Sequence, residues 1–261
     1  MTRLLLDRAR LGYAETVICP EISVDVPDGR FTVIVGPNAC GKSTLLKSMT
    51  RLIAPSSGRV ILDGRALHEM PTRQIAREIG LLPQGPTAPE GIRVVDLVSR
   101  GRYPHQSLFR PWSPEDEAAV AGAMDATGIR DLSGRLVDEL SGGQRQRVWM
   151  AVALAQQTLI LLLDAPIIFL DASHQIELLE LCRRLNRDRG HTLVAVLHDL
   201  NQAARYADHI IAMRDGRIVS TGSPARVITE ELVHTVFGVD ARIIADPESG
   251  TPLMIPRWAH G

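Results

Sequence analysis

Gly36-Pro37-Asn38-Ala39-Cys40-Gly41-Lys42-Ser43-Thr44, entered from the apolar run Phe31-Thr32-Val33-Ile34-Val35, decides how this chain folds. The segment fits G-x-x-x-x-G-K-[ST], and strand, glycine loop and helix start come in the order that pattern requires. The glycines let backbone N–H groups converge on phosphate oxygens, and the helix that follows turns the positive end of its dipole toward them. In such a loop Lys42 reaches the β- and γ-phosphates of a nucleotide and the Ser43 hydroxyl can ligate Mg²⁺. An ordinary glycine turn before a helix is the plain alternative; the strand upstream and the motifs downstream weigh against it.

Working outward, residues 3 to 35 alternate short apolar segments with turns such as Pro27-Asp28-Gly29. Arg59-Val60-Ile61-Leu62-Asp63-Gly64 closes on another turn signal, so a small antiparallel sheet is expected beside the nucleotide core. From about Ile92 to Ala155 the periodicity becomes helical, with Ser113 as an N-cap candidate and Glu115, Asp116 and Glu117 crowding the first turn behind it, as the helix dipole favours. Strand-type runs return at Leu159 to Leu163 and Leu193 to Leu197, around a helical stretch from about His174 to Asn186. This is the βαβ alternation of an α/β fold with a mostly parallel sheet. Near the end, Arg242-Ile243-Ile244-Ala245 and Pro252-Leu253-Met254-Ile255 flank Asp246-Pro247-Glu248-Ser249-Gly250, which reads as a hairpin too short to be a regulatory domain. The expected organisation is one domain over residues 1–261, with a helical subdomain inserted at about 90–155 and a hairpin extension at about 236–258.

Composition sets the limits. The 261 residues fit one α/β domain carrying an insertion, and 45% hydrophobic content can bury a substantial core. A net charge of −1 and 4% aromatics supply neither a basic footprint for phosphate backbones nor stacking platforms for bases, so nucleic acid is disfavoured as a partner. Arg183-Arg184 reads as a solvated helix face beside neighbouring acids. Cys19, Cys40 and Cys182 are odd in number and lack metal-ligand spacing, and a disulfide at Cys40 would obstruct the phosphate loop, all of which points to a reducing cytosol. Leu4-Leu5-Leu6 is too short for a signal peptide, and no run approaches the roughly 18 apolar residues that span a bilayer.

A second glycine-marked helix start follows at Leu140-Ser141-Gly142-Gly143-Gln144-Arg145-Gln146-Arg147, which leads into the helical Val148 to Ala155. A serine followed by two glycines at a helix start offers another phosphate-grade N-terminus. One nucleotide does not need two such ends from the same polypeptide. The segment resembles the signature motif of the ABC ATPase family, in which the LSGGQ of one subunit covers the γ-phosphate held by the loop of its partner. That resemblance implies a homodimer in which Ser141, Gly142, Gly143 and Gln144 contact ATP.

The other elements of the family match residue by residue. Gln84, in Leu81-Leu82-Pro83-Gln84, stands where the family's Q-loop glutamine contacts Mg²⁺ or the attacking water. Leu159-Ile160-Leu161-Leu162-Leu163-Asp164 resembles the Walker B strand, whose terminal carboxylate, Asp164, would hold the metal. Leu170-Asp171 resembles the D-loop, and His198, in Leu197-His198-Asp199-Leu200-Asn201, resembles the switch histidine that contacts the γ-phosphate. Tyr13 matches the aromatic that stacks on adenine; an exposed or half-buried strand tyrosine is its alternative. The resemblance implies a P-loop NTPase core of RecA-like type, with a mostly parallel sheet, a flanking antiparallel β subdomain and an inserted helical subdomain.

The likeness narrows further, because it runs along essentially the whole chain. Gly101-Arg102-Tyr103-Pro104-His105, Phe169-Leu170-Asp171 with Ser173-His174-Gln175, Leu197 to Ala203, and the ending Asp246-Pro247 to Ile255-Pro256 resemble ATP-binding subunits of iron-siderophore, haem and cobalamin importers. The ferric siderophore type is the nearest fit. Such a subunit would sit at the cytoplasmic face of the membrane beneath two permease subunits, which receive substrate from an extracytoplasmic binding protein. The segment between Gln84 and Ser141 is where the family docks its permease.

Three positions depart from the pattern. Ala165 stands where the family carries the glutamate that orients or deprotonates the attacking water, and Ile167-Ile168 replace the usual Thr-Thr. Losing a general base typically costs on the order of 10²–10⁴ in rate. The expectation is a chain that binds Mg·ATP and closes its dimer but turns over slowly, the alanine being either an engineered trap or a natural divergence. An ATP-gated subunit without hydrolysis is the alternative resting on that alanine. An ABC ATPase of DNA repair or translation would carry coiled-coil insertions, tandem cassettes or basic surfaces, and none of these is present.

Overall fold

The structure, a computed structural model, describes residues 2–107, 112–167 and 170–257, except for the side chain of Arg189. Two compact units form, Met1–Met70 with Gly190–Gly261, and Pro71–Arg189. The chain begins with β1 (Thr2–Tyr13), β2 (Thr16–Pro27), β3 (Phe31–Val35), α1 (Lys42–Ser48), β4 (Ser57–Leu62) and β5 (Arg65–Ala66). The second unit contains α2 (Thr72–Glu78), β6 (Ile79–Leu82), α3 (Val94–Ser99), α4 (Pro114–Ala126), α5 (Gly142–Ala155), β7 (Ile160–Leu163) and α6 (Ala172–Arg189). The chain then returns to the first unit with β8 (Thr192–Val196), α7 (Leu200–Tyr206), β9 (His209–Arg214), β10 (Arg217–Gly222), α8 (Pro224–Val227), α9 (Glu230–Phe237), β11 (Ala241–Ala245) and β12 (Pro252–Pro256).

In the first unit, β1 pairs antiparallel with β2 and β4, and β5 closes the edge beyond β4. Ile22, Val24 and Val26 point inward while Glu21, Ser23 and Asp25 face water, the period-two alternation of a sheet with one wet face. The short segments expected there are instead two strands of 12 residues each. Register shifts along β1, between Leu6 and Ala9 among other places, absorb the twist and let the strands run on. β3 behaves differently. All five of its residues are buried, because β8 and β9 flank it in parallel, with Val33 opposite both Ala195 and Ile210. A strand covered on both faces reads as a continuous apolar run. β10 adds antiparallel to β9.

The topology places the chemistry. β3 and β8 run side by side in the same direction, with Leu197 N donating to Ile34 O at 3.2 Å. The glycine loop that leaves β3 and the His198 that follows β8 therefore emerge at the same carboxyl edge, where open α/β sheets collect ligands.

In the second unit β6 and β7 are parallel, Leu82 standing opposite Leu163, and Asp164 N donates to Leu82 O at 2.9 Å. Gln84 and Asp164 thus leave this pair at the same edge. Val94, Leu97 and Val98 of α3, Val120 and Met124 of α4, and Val148 and Ala151 of α5 share one apolar cluster. Ser113 caps α4 in a reciprocal box with Asp116, with Glu115, Asp116 and Glu117 in the first turn. Among the described residues, no helix is long and apolar enough to cross a membrane.

Candidate nucleotide-binding site

The first unit supplies the loop. Gly41 caps α1 at φ +103°, a conformation that residues with a Cβ rarely adopt. A methyl group built at Gly36 would stand 2.2 Å from the Met213 carbonyl oxygen, so the backbone passes where only glycine fits. Lys42 is 5% exposed, and its ammonium donates to Gly36 O at 2.9 Å and Pro37 O at 2.6 Å, shaping the loop from inside. Pro37 is half-buried, Asn38 and Ala39 are exposed at the tip, Ser43 is half-buried and Thr44 buried. Cys40 and Cys19 are buried free thiols. Burial, with Cys40 nearby, pushes the Cys19 thiol up to about 11, and burial also raises Cys40 against the opposing pull of Lys42. Both remain protonated at neutral pH. His198 is exposed directly after β8, and Tyr13 is 48% exposed at the end of β1.

The second unit carries the remaining positions. Gln84 is exposed beyond β6, and Asp164 is only 1% exposed beyond β7. Ala165, 4% exposed, adopts φ +50°, the left-handed region that costs a residue with a Cβ on the order of 1 kcal/mol. Gln146 Nε2 donates to Pro166 O at 2.6 Å, tying α5 to the segment after Ala165. Ile167 is buried, and nothing in the structure explains it beyond that packing; Ile168 and Phe169 lie outside the described residues.

At the signature segment Ser141 and Gln144 form a reciprocal cap, with Gln144 N donating to Ser141 Oγ at 3.3 Å and Ser141 N to Gln144 Oε1 at 3.1 Å. The two glycines serve different ends. Gly142 is exposed and nothing would meet a Cβ there, whereas a methyl at Gly143 would stand 2.6 Å from His174 Cδ2. Asp171 caps α6: its Oδ1 accepts from His174 N at 3.0 Å and Ser173 Oγ at 2.8 Å, and lies 2.7 Å from His174 Nδ1. Those bonds, the His174 backbone N–H foremost, hold its carboxyl down at about 2. The motif reading of Asp171 and Ser141 missed this helix-capping work, although S-x-x-Q and D-x-x-H spacings were there to be read. Neither motif shows that His174 packs on Gly143 or that Gln146 bonds to Pro166, because those partners are far away in sequence.

The donors offered are Ser, Asp and Gln oxygens, the hard type that Mg²⁺ takes. Among the described residues no cluster of three or more His, Cys, Asp or Glu side chains could hold a metal.

Known proteins agree with this geometry. The family model described as ABC transporter matches residues 19–168. The ferric enterobactin transport ATP-binding protein FepC of Escherichia coli (strain K12) is 53% identical over 98% of this chain and 94% of its own length. The achromobactin transport ATP-binding protein CbrD of Dickeya dadantii (strain 3937) is 51% identical over 98% and 95%. The dimeric post-hydrolysis structure of the ATP-binding cassette MJ0796 with ADP and Pi superposes with a TM-score of 0.74 at 25% identity, over 84% of this chain and 98% of that one. A lysine-centred phosphate loop on a buried parallel strand, in a chain half identical to two transport ATP-binding proteins along nearly its full length, leaves one conclusion: this chain belongs to the ABC transporter family, as an ATPase cassette.

Proposed function

We propose that this chain is the motor subunit of a ferric-siderophore importer. Two copies close on ATP at the cytoplasmic face of the membrane beneath two permease subunits, which are fed by an extracytoplasmic binding protein. The observation that carries this reading is the 53% identity, over 98% of the chain, to a ferric enterobactin transport protein. The dimeric cassette similar in fold supports the homodimer, and the exposed Gly142 at the capped start of α5 is the surface such a partner's nucleotide would meet.

Within that reading the loop from Gly36 to Thr44 holds the phosphates, Tyr13 stacks on the base and His198 contacts the γ-phosphate. Ser43, Gln84 and Asp164 would hold Mg²⁺, which would offset charge on the phosphates. The helical segment at about 90–155 receives the permease. Asp171, which caps α6, takes part in nucleotide binding as the D-loop residue. ATP binding needs none of the chemistry missing at Ala165, since positioning and electrostatics do most of the work in phosphoryl transfer. Hydrolysis lacks its carboxylate and is slow.

A strain deleted for this gene tests the whole reading. Loss of iron-55 ferric-siderophore uptake is expected, with two polytopic permease subunits copurifying with the tagged chain. Uptake of the iron chelate left intact while haem or cobalamin uptake is lost would sink the substrate assignment.

A further inference from the structure

The C-terminal hairpin is tied to the segment that carries His198 by the side chain of Asn201. Asn201 lies three residues beyond His198, in the first turn of α7, whose start is capped by Asp199 accepting from Gln202 N at 2.9 Å. Its carboxamide uses both halves on one residue of β12: Met254 N donates to Asn201 Oδ1 at 2.7 Å, and Asn201 Nδ2 donates to Met254 O at 3.2 Å. The side chain thereby copies a neighbouring strand, pairing with backbone groups that β12 does not spend on β11, where Met254 stands opposite Ile243. Among side chains of this length only a carboxamide carries a donor and an acceptor in that fork; an aspartate would set an oxygen against the Met254 carbonyl.

The hairpin is anchored elsewhere too. Glu230 of α9 accepts from Ile243 N at 3.4 Å and from Arg257 Nη2 at 3.1 Å, and the Asp246 turn is closed by Glu248 N and Ser249 N on its carboxylate. Between hairpin, α7 and α9 lies a cavity of about 250 Å³ lined by His198, Asn201, Met254, Val233, Phe237 and Val239. His198 therefore borders the hairpin's own packing surface, and displacement of Met254 opens the wall beside it.

We infer that Asn201 is a positioning residue for His198, and that the C-terminal hairpin, through the Asn201–Met254 pair, is a working part of γ-phosphate recognition. The inference rests on the reading of His198 as the group that contacts the γ-phosphate.

The test is equilibrium binding of Mg·ATP and Mg·ADP to the full chain and its variants, which needs no turnover. Asn201→Asp, which keeps the size, and Met254→Pro, which removes the donor from the hairpin side, are each expected to lower the preference for ATP over ADP by about five- to tenfold, because sub-ångström misplacement of a contact is enough to weaken it. ADP affinity should stay within about twofold in both, since the loop that binds the shared phosphates is untouched. His198→Ala should lose the preference, and adding Asn201→Asp to it should cause no further loss. An Asn201→Asp chain that keeps its preference while His198→Ala loses it overturns the inference, as does an equal fall in ATP and ADP affinity. If His198→Ala itself leaves the preference intact, the γ-phosphate reading of His198 falls and this inference falls with it.

Discussion

Replacing Arg102 with methionine should destabilise the second unit strongly, and replacing its partner as well should recover part of the loss. The guanidinium is 3% exposed and the Asp116 side chain 1%, joined at 2.8 Å from Nε to Oδ1. Arg102 Nη1 also donates to Ala155 O at 2.8 Å and Gln157 Oε1 at 2.9 Å, so one side chain ties the segment before α4 to the end of α5. Burial works against the Asp116 charge, yet Arg102 and Ser113 hold its carboxyl below the ordinary 3.8. Removing one partner of a buried pair typically costs about 3–5 kcal/mol, because the other charge is left uncompensated. Ser113 N and Oγ still reach Asp116 Oδ2 at 3.2 and 3.3 Å, which places Arg102→Met near the lower end, about 3 kcal/mol. Arg102→Met with Asp116→Leu leaves no buried charge and should recover about half of the loss, the remainder being the donor that Ala155 O loses and the capping partner that Ser113 loses. The sign with pH follows. A depressed carboxyl contributes stability above 3.8 that is lost as pH falls through its folded value. In Arg102→Met the carboxyl rises instead, so its deficit against the parent should shrink as the solution is acidified toward pH 4. Urea unfolding at pH 7 and pH 4 reads all of this; a double variant as unstable as the single one at pH 7 would refute the argument from uncompensated charge.

Three further outcomes are expected. Ala165→Glu should raise steady-state phosphate release by on the order of 10²–10⁴, or about 3–5 kcal/mol of barrier, if a missing general base is what limits turnover; rates equal in both chains would mean that another group activates water. Gly143→Ala puts a methyl 2.6 Å from a His174 ring already held by Asp171, and should cost about 1–3 kcal/mol in urea unfolding. Gly142→Ala, with nothing in reach of its Cβ, should leave stability unchanged and weaken only ATP-dependent association. A stable Gly143→Ala chain would show that the His174 packing is not what that glycine serves.

Local patterns carried much of the fold. The apolar runs at Leu159 to Leu163 and Leu193 to Leu197 became β7 and β8 to within a residue, and the helical stretch between them became α6, because strand and helix periods are set by neighbours a few positions away. The cap at Ser113 was legible for the same reason: its partner Asp116 is three residues on. The glycine loop before α1 was readable because one continuous segment makes it, Lys42 bonding back to Gly36. What escaped was every contact between residues distant in the chain. Arg102 had no visible partner in Asp116 or Ala155, and Gly143 none in His174. The left-handed φ of Ala165 was equally hidden, since propensity places alanine in a helix and only the packed strand end imposes the turn.

The family-specific strings take on a physical meaning through those distant contacts. Leu197-His198-Asp199-Leu200-Asn201 reads as one motif, yet its parts answer to different needs: Leu197 N pairs with Ile34, Asp199 caps α7, and Asn201 holds Met254, 53 residues on. Gly101-Arg102-Tyr103-Pro104-His105 divides likewise. Gly101 fits under the Val152 carbonyl, Arg102 is the buried ion-pair partner, Pro104 O accepts from Arg73 and Arg77, and only Tyr103 is left facing solvent. Most residues of such a string are one half of a contact whose other half lies elsewhere in the chain. The string can therefore mark membership of a family in a sequence while saying nothing, until the fold is known, about which of its residues touch nucleotide and which hold the frame around it.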